Sequence, residues 1–335
     1  MPMIEVENLQ KDFYITKRET GMKGALRSLL KREYIKKEAV KDISFSISEG
    51  EIVGYIGPNG AGKSTTIKML TGILVPSSGK VLVNSLIPYE NRQENAKNIG
   101  VVFGQRTQLW WDLPMIESFE LLKAIYQVSD ERYRKNMAIF TEILGLDEFL
   151  NTPVRQLSLG QRMRADIAAS LLHDPPILFL DEPTIGLDVV AKEKMRTFIK
   201  EINQERKITV ILTTHDMEDI EKLCERMVLI DHGIKVYDGE IATVKEKFGK
   251  TRTLIVDLEE SHHPFNVIGG DVFKEEGSRY WIRFNRNEVS ASELITQITK
   301  THNIKDLTVE EPAIESIISR IYQEGFQGLP EGIIR

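Results

Sequence analysis

Gly57-Pro58-Asn59-Gly60-Ala61-Gly62-Lys63-Ser64-Thr65 sets a lysine and a hydroxyl behind a glycine-rich run, in the GxxxxGK[ST] spacing of a phosphate-cradling loop. Glycine lets the backbone curl so that successive N–H groups and the start of a helix aim at phosphate oxygens. Lys63 is then expected to reach the β- and γ-phosphates of a nucleoside triphosphate, and Ser64 a magnesium ion. A second reactive pair, Asp181-Glu182, follows the apolar run Ile177-Leu178-Phe179-Leu180 and precedes Pro183. In phosphoryl transfer one carboxylate can hold the magnesium shell while another orients and deprotonates an attacking water, which suits Asp181 and Glu182 respectively. An acidic turn at a strand end would explain the same two residues without chemistry. Their company with the phosphate loop favours the reactive reading.

These groups need a scaffold. Ile52-Val53-Gly54-Tyr55-Ile56 reads as a buried strand before the loop, and Thr66 to Leu70 as a helix after it. Residues 4–14 and 40–56 are expected to be strands, as is much of 81–103, where Ile99-Gly100-Val101-Val102-Phe103 is a continuous apolar run of the buried parallel kind. Residues 115–150 read as mostly helical, with Leu121, Leu122, Ile125, Ile143 and Leu144 on apolar faces. The sheet resumes at Ile177 and at Val210-Ile211-Leu212. Strands alternating with helices predict a doubly wound α/β core. Ligands of such sheets sit beyond the carboxyl ends of the strands, where this chain delivers Gln105, Asp181-Glu182 and His215. Leu157-Ser158-Leu159-Gly160-Gln161 precedes a helix with Met163, Ile167 and Leu171 on one face. Ser158 is either a plain N-cap there or, with Gly160 and the helix start, an anion site for a γ-phosphate.

Together these elements resemble the nucleotide-binding subunit of an ABC transporter over about residues 1–245. The phosphate loop matches Walker A, Gln105 the Q-loop, Leu157 to Gln161 the signature, and Ile177 to Asp181 Walker B. Glu182 matches the catalytic glutamate, Ile185-Gly186-Leu187-Asp188 the D-loop and His215 the switch histidine. The resemblance implies a P-loop NTPase core of ABC type with a helical subdomain inserted at about residues 105–172. It implies ATP and Mg2+ as cofactors, with Ser64, Gln105 and Asp181 near the metal and His215 on the γ-phosphate. It also implies two subunits, as a homodimer or heterodimer, sandwiching ATP head to tail, so that each nucleotide meets Gly57 to Thr65 of one copy and Ser158, Gly160, Gln161 and Asp188 of the other. Phe13 lies where the family places an aromatic ring under the adenine, with Tyr14 as the neighbouring substitute and simple strand packing as the alternative. One position departs: the family's signature has glycine where this chain has Leu159.

Charge and composition narrow the rest. The 335 residues carry a formal charge of −6, so no general attraction to nucleic acid is expected. A single cysteine, Cys224, and a start without a signal-peptide pattern fit a reducing cytoplasm. The expected partner is an integral-membrane permease on a separate chain, which would hold this subunit at the cytoplasmic face of the membrane. The pattern looks most like drug- and antibiotic-resistance exporters, with import, or a soluble ATPase acting on ribosomes or DNA, as the alternatives. A basic insertion at about 16–38 places Met22, Leu26, Leu29 and Leu30 at helical spacing, suited to a membrane surface, a permease or the chain's own core. Trp110-Trp111 are equally suited to the coupling helix of a permease or to a core. Residues 246–335 read as a small α+β accessory domain with no catalytic pattern, and His262-His263 as linker residues.

Overall fold

The computed structural model describes residues 2–16, 34–104, 106–249, 251–260 and 265–324. They form two compact units, one ending at Gly239 and the other beginning at Glu240.

The first unit is mixed α/β, with two sheets. Strands β1 (Pro2–Thr16), β2 (Tyr34–Ser48) and β4 (Ser78–Val83) make an antiparallel sheet in the order β2-β1-β4. The larger sheet runs β5-β6-β7-β3-β8-β9. It comprises β3 (Ile52–Ile56), β5 (Ile99–Phe103), β6 (Ile177–Asp181), β7 (Thr209–Thr213), β8 (Arg226–Asp231) and β9 (Ile234–Glu240). Pairing from β5 through β8 is parallel throughout. Strands of this kind are covered on both faces, which is why Ile177 to Leu180 and Val210 to Leu212 are continuous apolar runs and are all buried. Ile4, Val6, Phe45 and Val81 of the first sheet share one core with Tyr55, Phe179 and Val228 of the second.

The helices Met115–Tyr126, Asp130–Leu144 and Leu159–Leu171 lie between β5 and β6 in the chain. The first buries Met115, Phe119 and Leu122, an i, i+4, i+7 row. Leu121 and Ile125, expected on an apolar face, form a second i, i+4 row that points outward, 39% and 61% exposed. The span 81–103 also holds a helix, Arg92–Asn98, where strands were expected. Only Asn95 of that helix is buried, so it lacks the apolar period that reveals a helix in sequence. The ends of the basic insertion belong to the antiparallel sheet, because β1 and β2 pair as far as Thr16 with Tyr34. Met22, Leu26, Leu29 and Leu30, read at helical spacing, fall outside the described residues, as do His262-His263.

The second unit has a four-stranded antiparallel sheet, β11-β12-β10-β13. Its strands are β10 (Thr251–Leu258), β11 (Gly270–Glu276), β12 (Arg279–Asn285) and β13 (Ile304–Glu310). Alternate residues Tyr280, Ile282 and Phe284 face a core with Leu254, Val256 and helix residues Leu294 and Ile298. The Ile314–Glu324 helix buries Ile314, Ile317, Ile318 and Ile321. Among the described residues, no helix is long and apolar enough to cross a membrane.

Candidate functional site

Strand β3 is buried and delivers the chain directly into the glycine loop. Gly57 admits no side chain, since a Cβ there would lie 2.3 Å from the Ile230 carbonyl oxygen. Gly62 combines a φ of +107° with a would-be Cβ 2.6 Å from the Ala39 oxygen, so two constraints demand glycine. The helix Lys63–Leu70 begins at the next residue. Lys63 is buried, and its Nζ donates to the carbonyls of Gly57 at 2.5 Å and Pro58 at 3.2 Å. Burial lowers the pKa of its ammonium, against the opposing pull of the Glu182 and Asp181 charges.

Those carboxylates come from the neighbouring strand ends. Asp181 closes β6 and accepts a hydrogen bond from the Thr213 hydroxyl on β7. Glu182 has a φ of +58°, a conformation uncommon outside glycine, and its N–H donates to the Thr213 carbonyl at 2.9 Å. The turn brings its carboxylate to His215, with Oε1 3.2 Å from Nε2 and Oε2 accepting from the histidine backbone N–H at 3.3 Å. Burial raises the Glu182 carboxyl above its ordinary 4.5, with His215 working against the rise. The loop residues Pro58 to Thr65, except Ala61, share a cavity of about 780 Å³ with Asp181, Glu182, His215 and Phe13. Gln105 falls outside the described residues, but its neighbours Gly104 and Arg106 line this cavity. Gly57 and Ala61 do not line the cavity, and Ala61 is buried.

The aromatic in the cavity wall is Phe13, with the Lys11 ammonium 5.4 Å from its ring centre. Tyr14 points away, 66% exposed. Ile15, Lys37 and Glu38 line the same wall, none of which the sequence marked. They arrive through the register of the β1–β2 pairing, which sets Phe13 opposite Lys37.

Ser158, Gly160, Gln161 and Asp188 do not line the cavity. Ser158 caps the Leu159–Leu171 helix in a reciprocal capping box: its Oγ accepts from the Gln161 N–H at 3.2 Å and its own N–H donates to Gln161 Oε1 at 2.9 Å. Asp188 caps the Val189–Arg206 helix by accepting from the Ala191 N–H at 2.8 Å. One chain therefore brings together a phosphate loop, two carboxylates and a histidine, and carries its second candidate phosphate-binding helix elsewhere.

Residues 40–185 match the family model described as ABC transporter. The chain is 31% identical over 296 residues to the linearmycin resistance ATP-binding protein LnrL of Bacillus subtilis (strain 168), covering 86% of this chain and 94% of that one. The chain belongs to the ABC transporter ATP-binding proteins. It is also 32% identical over 209 residues to the ABC transporter ATP-binding protein NatA of the same organism, which covers 62% of this chain and 85% of NatA. Among solved structures, a dimeric post-hydrolysis state of the ATP-binding cassette MJ0796, bound to ADP and Pi, aligns with a TM-score of 0.59. The alignment has 29% identity and covers 71% of this chain and 99% of that one.

This ABC ATPase fits its implied ligands on its own chemistry. The cavity volume is in the range that takes a nucleotide-sized ligand. Its loop backbone and Lys63 suit polyphosphate, and its wall offers one aromatic face. Among the described residues no cluster of three or more histidine, cysteine or carboxylate side chains could cage a metal by itself. Magnesium asks for less, since it is usually held by one or two carboxylates together with substrate phosphates, and Asp181 with the Ser64 hydroxyl supplies such a set.

Proposed function

We propose that this ABC ATPase powers an exporter whose membrane-spanning permease is a separate chain, and that two copies of the ATPase close on two ATP molecules head to tail. One observation carries the dimer: the cavity collects Lys63, Asp181, Glu182 and His215 but not Ser158, Gly160 or Gln161. A second copy would supply them. Likeness to a protein named for linearmycin resistance supports export. The permease would hold the subunit at the cytoplasmic face of the membrane.

In this reading the N–H groups of Gly60 to Thr65 and the Lys63 ammonium bind the phosphates, and Phe13 stacks on the adenine. Ser64, Asp181 and Gln105 would hold magnesium, which would supply positive charge to neutralise the phosphates. Glu182 orients the attacking water and accepts its proton. His215 Nε2 lies 3.2 Å from Glu182 Oε1, and the histidine would contact the γ-phosphate of bound ATP. Asp188 contributes from the partner's D-loop.

Glu182→Gln tests this. It should bind MgATP, form a stable dimer with it and lose roughly 10²–10⁴-fold in turnover. Near-normal turnover would refute the role of Glu182, and a monomer at saturating ATP would refute the sandwich. For direction, cells expressing the ATPase with its permease should accumulate less cargo than cells with the Glu182→Gln pair, and the reverse would mean import.

A further inference from the structure

Arg106 lines the cavity, and no motif named above includes it. Its own backbone sets its place: the Arg106 N–H donates to the Phe103 carbonyl at 2.8 Å, and the two residues form a bridge that turns the chain at the end of β5. Phe103 lies opposite Asp181 in the β5–β6 register. Gly104 presses the turn against both carboxylate-bearing residues. Its N–H donates to the Asp181 carbonyl at 2.7 Å, and a Cβ on it would lie 2.8 Å from the Asp181 oxygen, 2.9 Å from the Glu182 carbonyl oxygen and 3.0 Å from Glu182 Cβ. Arg106 therefore joins the cavity beside Asp181 and Glu182, at the end where water would attack. Its side chain is exposed, and among the described residues the guanidinium has no ion-pair or hydrogen-bond partner.

The other cation at the phosphates is placed differently. The Lys63 ammonium is buried and held by the Gly57 and Pro58 carbonyls of its own loop, so it meets the phosphates from the loop side. On the other side stand two carboxylates, which repel a γ-phosphate. During transfer the phosphoryl charge spreads over three equatorial oxygens. A guanidinium suits that shape, because it presents a planar fork of N–H donors and stays charged at every working pH. A donor aimed where charge is carried in the transition state raises turnover, whereas one that holds substrate and transition state equally lowers only the KM.

We propose that Arg106 is a further catalytic residue of this ATPase, whose guanidinium closes on the γ-phosphate oxygens of ATP in its own chain's cavity and stabilises their charge as the phosphoryl group transfers. The water oxygen bonds to the γ-phosphorus, the bridging oxygen leaves with ADP, and Glu182 accepts the proton. Arg106 stays cationic throughout and exchanges no proton. The inference rests on the cavity being the ATP site.

Three measurements on the full chain test it: turnover at saturating MgATP, affinity for ADP with aluminium fluoride as a mimic of the transferring phosphoryl group, and, in a Glu182→Gln background, affinity for a fluorescent ATP analogue together with the ATP concentration at half-maximal dimer. Arg106→Ala should lower turnover by tenfold or more, within reach of the roughly 10²–10³-fold lost with one donor of an enclosed oxyanion site. It should weaken the ADP and aluminium fluoride complex by tenfold or more and leave ATP affinity and dimerisation within threefold. Arg106→Gln should behave alike and serves if the alanine variant does not fold. Turnover within twofold of the parent in either variant would overturn the proposal. So would equal losses of ATP and aluminium fluoride affinity, which would make Arg106 a general phosphate contact, or a loss of turnover matched by a loss of dimerisation, which would make it a contact between copies. If Lys63→Ala binds ATP as tightly as the parent, the cavity is not the ATP site and this inference falls with that reading.

Discussion

Leu159 covers Gly186. A Cβ built on Gly186 would sit 2.3 Å from Leu159 Cδ2, and Gly186 has a φ of +69°. Leu159 therefore lies against a residue with no side chain, and a Cβ on Gly160 would meet Leu187 Cδ2 less tightly, at 3.3 Å. Gly186→Ala meets two costs, the positive φ, worth about 1–2 kcal/mol, and the collision with Leu159. The variant should show a lower melting temperature and weaker ATP-driven dimerisation. Leu159→Ala in the same chain removes the collision but not the backbone strain, so it should recover part of both losses. Strictly additive effects in the double variant would show that the two residues do not act on each other.

Phe13 and Tyr14 are adjacent in sequence and opposite in place: the first lines the nucleotide cavity and the second is two-thirds exposed. Phe13→Ala should weaken MgATP binding by roughly tenfold or more, the scale of one lost base–aromatic stack of about 1–3 kcal/mol. Tyr14→Ala should bind within twofold of the parent. Equilibrium titration with a fluorescent ATP analogue reads both. The opposite ranking would move the adenine off Phe13.

The phosphate loop was legible because its signal is local, a short apolar strand, closely spaced glycines and a helix beginning at Lys63, even though the Ile230 and Ala39 carbonyls that demand those glycines are distant in sequence. The strand ends at Asp181 and Thr213 were legible because buried parallel strands have no polar face to disguise them. The remainder depended on pairings distant in sequence. Lys37 and Glu38 reach the cavity only through the β1–β2 register, and nothing in their own neighbourhood signals it. The helix at Met115–Tyr126 offered two apolar rows, and only packing decides that Phe119 goes inward and Ile125 outward. Asp166 was invisible for a different reason. A single acid inside an amphipathic helix reads as a solvated residue until Thr107 and Gln108 are found against it.

Asp166 also gives the stability a pH dependence. Its carboxyl rises from 3.8 to about 6 on folding, so the folded chain holds that proton more tightly than the unfolded one. The contribution of this group to folding is greatest below pH 3.8 and is lost as pH rises through about 6, by at most on the order of 3 kcal/mol. Asp166→Asn keeps an acceptor for Thr107 and Gln108 but cannot ionise. Unfolding midpoints measured at pH 5 and pH 7.5 should therefore diverge: the wild type loses ground to Asp166→Asn at the higher pH. Parallel behaviour at the two pH values would place the carboxylate in an environment far wetter than the structure gives it.

Asp219 ties together the two turns that carry Glu182 and His215. It is fully buried, accepts from Arg196 Nε at 2.6 Å, and accepts hydroxyl hydrogen bonds from Thr184 and, at 3.2 Å, from Thr214. Arg196 is itself 3% exposed, so Asp219→Ala leaves a buried guanidinium and two hydroxyls short of an acceptor. Breaking such a pair from one side costs about 3–5 kcal/mol, and denaturant unfolding should show it. Lys222→Ala is the contrast, since Lys222 pairs with Glu193 and Glu218 on an exposed surface and should change stability by less than about 1 kcal/mol. Thr184 follows Glu182 by two positions and Thr214 precedes His215 by one. Asp219→Ala protein that still folds should consequently lose turnover while retaining most of its ATP affinity, because Lys63 and the glycine loop hang on a different strand. A variant as stable as the parent, or one that loses binding and turnover equally, would remove Asp219 from the support of the catalytic turns.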